Sequence, residues 1–302
     1  EGWNEYEWRL KIKKRNEIIS EYMTFPKPEW KPPNKGRVLL CAEQGLGDEI
    51  MFSSLIPDFL DKVDKLIIKA DKRLIPLLKR TFSHKIEFRN KNESIDDKDY
   101  DYHIAMGSLP KFLRLSLSDF KNSKNIDLQV NKQKSNTFRT KITENNNDKI
   151  VGISWKSKSF TQNNYSLSLE ELILGIYSPK IRFVCLQYGA VKDEINYVRK
   201  KHGIDVLEVE EVDKFNDIDN LAALISSCDE VVTIPNVTAN LAGSIGVKTH
   251  LLLQYNNFWC WGFNDKKSYW FPSINLYRQH QRHNFIDQFH QIRETLRIND
   301  SK

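Results

Sequence analysis

The residues able to do chemistry gather at a few turns. After the short apolar run Val38–Ala42 comes Glu43-Gln44-Gly45-Leu46-Gly47-Asp48-Glu49-Ile50. Two glycines ahead of a helix-like stretch invite comparison with the dinucleotide loop G-x-G-x-x-G. Ile50 stands where the third glycine belongs and would crowd the helix–strand contact. Asp48 and Glu49 fall at the helix start, where the dipole and unpaired N–H groups favour carboxylates. They would repel a pyrophosphate, so this loop is not built for one. A carboxylate on a glycine loop at a strand's carboxyl end can take the proton of a hydroxyl as a general base. It can equally cap the helix. The residues alone leave both roles open.

A second turn has the opposite character. Pro235-Asn236-Val237-Thr238-Ala239-Asn240 follows the run Glu230–Ile234 and opens a helix with no carboxylate in its first turn. It offers backbone N–H groups, the Thr238 hydroxyl and the amides of Asn236 and Asn240. This is either an anion site or a capped, buried helix end. Gly243 and Gly246 would permit close packing and a helix stop. Lys156-Ser157-Lys158-Ser159, after the run Ile150–Trp155, could bring an ammonium to a phosphate, although lysines in polar loops are often only solvated. His103, near the end of another run, could carry a proton, hold a sugar or be structural. Trp259-Cys260-Trp261 and Tyr269-Trp270-Phe271-Pro272 could stack on a ring or pack in a core.

Other chemistries lack their residues. No His/Asp/Glu grouping has metal-ligand spacing, and the four cysteines (Cys41, Cys185, Cys228, Cys260) include no C-x-x-C pair, so no metal or cofactor is expected. No G-x-S-x-G signals a hydrolase. No apolar run approaches the ~20 residues of a membrane helix. The net charge of +6 suits an anionic ligand as well as nucleic acid and by itself selects neither. No dense basic patch flanks the aromatic runs, so nucleic acid is not expected. The chain starts at Glu1 without a signal segment. It reads as a piece of a longer or processed protein, and its unpaired cysteines suggest the cytoplasm, including the inner face of the membrane.

These turns must be held by alternating strands and helices. Residues 2–22 have apolar residues at roughly helical spacing (Trp3, Tyr6, Trp8, Leu10, Ile12), and Pro26, Pro28, Pro32 and Pro33 then break any helix. Strands are expected at Val38–Ala42, Leu66–Ala70, Lys85–Phe88 and Tyr100–Ala105, with helix-like stretches between the first three. The polar stretch 131–149 reads mostly as a domain connection. A second alternation follows: strands Ile150–Trp155, Ile181–Gln187, Val206–Val209, Glu230–Ile234 and Thr249–Gln254. Helices are expected over 168–177, 190–202, 217–228 and 236–246, and a closing helix over 284–297. The expectation is an α/β protein of two doubly wound, Rossmann-like blocks with a cleft between them. Its parts are a helical segment and linker (1–34), a first domain (35–145), a second domain (146–280) and a C-terminal helix (281–302).

In this order and spacing the motifs resemble the glycosyltransferase family 9-like, or ADP-heptose:lipopolysaccharide heptosyltransferase-like, domains found behind tetratricopeptide repeats in bacterial proteins. The resemblance runs through Gly2-Trp3-Asn4-Glu5-Tyr6-Glu7-Trp8-Arg9, Ala42–Asp48, Val151-Gly152-Ile153-Ser154-Trp155, Leu241–Gly246, and Ser268–Pro272 with Leu276-Tyr277-Arg278-Gln279. It implies a GT-B fold with the acceptor on the first domain and a nucleotide-sugar on the second, and transfer without a metal. It makes Asp48 the general base, with Glu43, Gln44, Gly45, Gly47 and His103 on the acceptor side. Lys156 and Asn236, Val237, Thr238, Ala239 and Asn240 would hold the donor diphosphate, and the strand-end residues Ser154 and Gln187 are placed with them. The acceptor would be a glycan, a lipid-linked glycan or a protein. The chain departs from the family pattern at Pro235 or Asn236, where an Asp is usual, and at Asn240, where a His is usual. Asn164-Tyr165-Ser166 stands where a basic group often follows. A module that binds nucleotide or glycan without turnover is therefore the alternative. A dinucleotide-dependent oxidoreductase is disfavoured by Ile50 and Asp48.

Overall fold

The computed structural model describes residues 1–11, 25–82, 86–124, 127–143, 148–157, 166–282 and 284–297. Ile12 and the rest of the expected N-terminal helix lie outside these residues, as do Lys85, Lys158, Ser159, Asn164 and Tyr165. The chain divides into two compact units, Glu1–Gln129 and Val130–Lys302.

The first unit opens with a short helix α1 (Gly2–Tyr6) and a tight turn of helix over Glu7–Lys11. Its strands are β1 (Arg37–Cys41), β2 (Lys65–Ala70), β3 (Ile86–Asn90) and β4 (Tyr102–Ala105). Helices α2 (Leu46–Ser53) and α3 (Ile56–Leu60) join β1 to β2, and α4 (Ile75–Phe82) joins β2 to β3. Two short helices, α5 (Pro110–Leu113) and α6 (Leu117–Lys121), follow β4. The sheet is parallel in the order β3-β2-β1-β4. Val38, Leu39 and Leu40 are fully buried, as a parallel strand covered on both faces requires.

The second unit runs α7 (Lys132–Thr143), β5 (Lys149–Ser154), α8 (Leu169–Ile176), β6 (Ile181–Cys185), α9 (Lys192–His202), β7 (Val206–Leu207) and α10 (Ile218–Ser226). It continues with β8 (Glu230–Thr233), α11 (Val237–Ser244), β9 (Thr249–Leu253), β10 (Ile274–Arg278) and α12 (Ile286–Arg297). Its six parallel strands are ordered β10-β9-β8-β5-β6-β7. The core below β5 and β6 is built from Val151, Ile153, Phe183, Leu172, Ile173 and Ile292 among others.

Two features differ from the sequence expectation. The polar stretch 131–149 is not mainly a connection. It contains the twelve-residue α7, whose buried Ser135, Phe138 and Ile142 fall on one face and pack against α10. Three buried positions among polar residues give too thin an apolar stripe to read in isolation. The strand β10 was also not anticipated, because Asn275 and Arg278 interrupt its apolar pattern.

In both sheets the strand order reverses once. In the first unit the reversal lies between β1 and β4, and in the second between β5 and β8. At such switch points neighbouring loops diverge to opposite faces of the sheet and leave a crevice at the carboxyl ends of the strands, where α/β proteins bind ligands.

Candidate functional site

The second unit's crevice is framed by the loops after β5 and β8. Gln187, just past β6 and 2% exposed, ties the first loop together. Its Oε1 accepts from Ser154 Oγ (2.9 Å), the Trp155 amide (2.9 Å) and the Lys156 amide (2.8 Å). Asn236 caps α11: its Oδ1 accepts from the Ala239 amide at 3.1 Å. Its Nδ2 donates to Ser154 Oγ at 2.8 Å and to the Lys156 carbonyl at 3.4 Å. One side chain thus closes the helix end and fastens it to the β5 loop.

The cap satisfies the third amide of the helix and leaves those of Val237 and Thr238 without an intrahelical partner. No acidic residue lies in the first turn. Asn240 Nδ2 donates to the Asn236 carbonyl at 3.4 Å, and its buried Oδ1 has no partner. Gly243 lets α11 lie close to β10, since a Cβ there would stand 2.6 Å from the Phe271 ring and 2.7 Å from Ile274. The site can accept an anion at the helix end. Lys156 is engaged elsewhere: its Nζ lies 2.5 Å from Glu194 Oε1, and Glu194 Oε2 accepts from Trp155 Nε1 at 3.0 Å. Glu194, in the first turn of α9, is a residue that sequence reasoning missed. It lies 38 positions from Lys156, and no local pattern connects them.

The first unit's crevice lies between the loops after β1 and β4. Asp48 is half-buried at the third position of α2, and its Oδ2 accepts from the Gly45 amide at 3.0 Å. The carboxylate therefore caps its own helix, the structural role open to it from sequence. Gly47 lies in the same first turn. Gln44 has φ +63°, a left-handed backbone, and its Nε2 donates to the Tyr6 hydroxyl at 2.8 Å. Burial pushes the Tyr6 phenol up to about 12. Glu43 is buried and bound on both oxygens by Arg9, at 3.0 and 2.6 Å, and it also accepts from the Gly107 amide at 2.9 Å. Arg9 stands at the end of the motif Gly2–Arg9, but the sequence assigns it no role at this loop. Its signal is the run of alternating charges and aromatics at residues 3–9, which carried no spacing rule.

His103 lies on β4 beside Leu39 of β1. Its backbone pairs with Pro28 and Trp30, its ring lies 5.3 Å from that of Phe25, and burial lowers its pKa. Trp261, Trp270 and Phe271 are buried, while Trp259 is 44% exposed and meets Trp270 edge-on at 6.5 Å. Among the described residues no group of three or more His, Cys, Asp or Glu could hold a metal. Burial pushes the thiols of Cys185 and Cys228 up to about 11 and about 12, which suits packed side chains and not thiolate ligands. Among the described residues no helix is long and apolar enough to cross a membrane.

Two parallel, doubly wound sheets with loops gathered at their switch points define the GT-B fold. Solved structures agree. The glycosyl transferase family 9 protein of Veillonella parvula matches with a TM-score of 0.60 at 10% identity, over 89% of this chain and 99% of that one. The ADP-heptose lipopolysaccharide heptosyltransferase II of Escherichia coli matches with a TM-score of 0.58 at 13% identity, over 88% and 100%. TibC of enterotoxigenic Escherichia coli, described as an iron-containing dodecameric glycosyltransferase, matches with a TM-score of 0.53 at 14% identity, over 91% and 76%. The described residues of this chain offer no cluster suited to an iron ion. No family model matches the chain. Among curated proteins, FlbA of Caulobacter vibrioides is 28% identical over an alignment of 302 residues. That alignment covers 92% of this chain, which spans 49% of the length of FlbA.

Proposed function

We propose that the protein is a glycosyltransferase that moves a sugar from a nucleotide-sugar to an acceptor hydroxyl without a metal. The observation that carries this reading is an asymmetry between the two switch points. One presents the carboxylate of Asp48, and the other presents the acid-free end of α11 with the amides of Val237 and Thr238. In the reaction the acceptor hydroxyl gives its proton to Asp48 and its oxygen bonds to the anomeric carbon. The bond from that carbon to the diphosphate oxygen breaks, and the diphosphate leaves with the electron pair. Its growing charge is met by the α11 amides and by Lys156, once the lysine turns from Glu194. The GT-B fold and the names of the structural neighbours support the reading. The acceptor class comprises glycans, lipid-linked glycans and proteins, with Gln44, Gly45, Gly47 and His103 on that side. The chain would work in the cytoplasm, behind tetratricopeptide repeats in a longer protein.

The test is release of nucleoside diphosphate from a panel of ADP-, GDP- and UDP-sugars incubated with candidate acceptors. Release that depends on an acceptor supports transfer, and its absence across the panel overturns it. A second reading, binding without turnover, is favoured by the Lys156–Glu194 pair and by Asn240, which cannot titrate. Calorimetric binding of a nucleoside diphosphate with no product from any donor would select it.

A further inference from the structure

The crevice of the first unit already holds part of the chain itself. Arg9 reaches it from the N-terminal segment and joins both loops that frame it. Its guanidinium forks onto Glu43, which follows β1, and its Nη2 donates to Ser108 Oγ, which follows β4, at 2.9 Å. Nη1 donates to Glu7 Oε1 at 2.6 Å, and Ser108 Oγ donates to the same oxygen at 2.9 Å. The Arg9 guanidinium stacks 4.4 Å from the Tyr6 ring, and Tyr6 in turn receives the Gln44 amide. The side chains of Arg9 and Glu43 are 10% and 5% exposed. Two planar groups meeting in a buried fork hold each other in one orientation, unlike a surface ion pair. Gly107 completes the fit, because a Cβ there would lie 2.6 Å from Glu43 Oε1 and 3.0 Å from Arg9 Nη2.

We propose that Arg9 is a positioning residue that fixes the Glu43–Asp48 loop, and with it the Asp48 carboxylate, from the N-terminal segment. The catalytic half of this statement rests on the reading of Asp48 as the base. The loop needs such an anchor: the left-handed backbone of Gln44 is strained for a residue with a side chain and persists only where its surroundings hold it. Gln44 is held from both sides, by Glu43 through Arg9 and by its own amide on Tyr6. A shift of the loop moves Asp48, and a displacement of about 1 Å at a reacting group can cost about 100-fold in rate.

The test compares the wild-type chain with Arg9→Ala, Arg9→Lys and Gly107→Ala. The first readout is hydrogen exchange at the amides of residues 43–49. Arg9→Ala and Gly107→Ala should speed it at least tenfold, while exchange in β5 and β8 stays unchanged and Arg9→Lys falls between. The second readout is nucleoside diphosphate release with the donor found in the panel above. Arg9→Ala should lower kcat about 10–100-fold with donor KM within twofold of wild type, and Arg9→Lys should recover part of it. Exchange that rises evenly through the first unit, or a loop left unchanged in Arg9→Ala, overturns the proposal. So does a gain in turnover, which would make the segment a plug. If the wild type itself releases nothing, the sugar-transfer reading fails, and the exchange comparison still decides whether Arg9 holds the loop.

Discussion

The Asn236 side-chain amide donates to Ser154 Oγ at 2.8 Å, joining the end of β5 to the start of α11 across the point where the strand order reverses. Ser154 Oγ donates in turn to Gln187 Oε1 at 2.9 Å, so the end of β6 is linked to the same site through two hydrogen bonds. The loop that carries Lys156 and the helix end with spare amides thus form one rigid frame.

Replacing Asn236 by Ala removes both halves of this tie. Loss of the cap costs about 1 kcal/mol, and the thermal midpoint should fall measurably. Affinity for a nucleoside diphosphate should fall further than this loss of stability explains, because the β5 loop is no longer fastened to the helix. Calorimetry alongside thermal melts checks it. Unchanged affinity would show that the frame does not serve the ligand.

The Lys156–Glu194 pair gives a prediction of opposite signs. Glu194→Gln releases the ammonium and should tighten nucleoside diphosphate binding several-fold, most at low salt where exposed charges are least screened. Lys156→Ala should weaken it. Titration of both variants at two ionic strengths decides this, and a weaker Glu194→Gln would mean that the carboxylate orients the lysine for the ligand.

Asp48→Asn separates base from cap. Asparagine still offers an oxygen to the Gly45 amide, so the fold should hold with little change in melting. Turnover should drop by about 100-fold or more if Asp48 accepts the acceptor proton, while diphosphate binding in the second unit stays as in wild type. Intact turnover would leave Asp48 with its capping role alone.

Acid sensitivity should trace to Glu230. Burial acts to raise this carboxyl. The His250 ring nitrogen at 2.5 Å and the Lys149 ammonium at 2.7 Å outweigh it and hold it at about 2, against an ordinary 4.5. The folded state therefore binds fewer protons than the unfolded chain between those values. The stabilisation is complete above 4.5 and fades as pH falls toward about 2. Glu230→Gln should flatten that part of the stability profile. It should also destabilise the protein at neutral pH by about 3 kcal/mol, since Lys149 keeps its charge in a buried place. Denaturant melts of both proteins across the acid range measure each effect.

Much of the fold was legible because parallel strands are buried on both faces and write themselves as short apolar runs such as Val38–Ala42 and Ile150–Trp155. Helix boundaries near Asn236 and Asp48 were equally readable, since caps and first-turn charges act within three or four residues. The carboxylate-bearing loop and the acid-free helix start were found the same way. The helix α7 escaped because only Ser135, Phe138 and Ile142 mark its inner face. The roles of Arg9 and Glu194 at the site escaped because Glu43 lies 34 positions from Arg9 and Lys156 lies 38 positions from Glu194.

The amino-acid sequence by itself settled which turns carry negative groups and which carry spare N–H groups, because those properties are local to a few consecutive residues. Only the tertiary structure decided that Glu43 is closed off by Arg9, that Lys156 is already paired, and that Gln187 and Asn236 hold one frame. Those outcomes depend on which strand ends become neighbours when the order of a sheet reverses, and distance along the chain does not encode that adjacency.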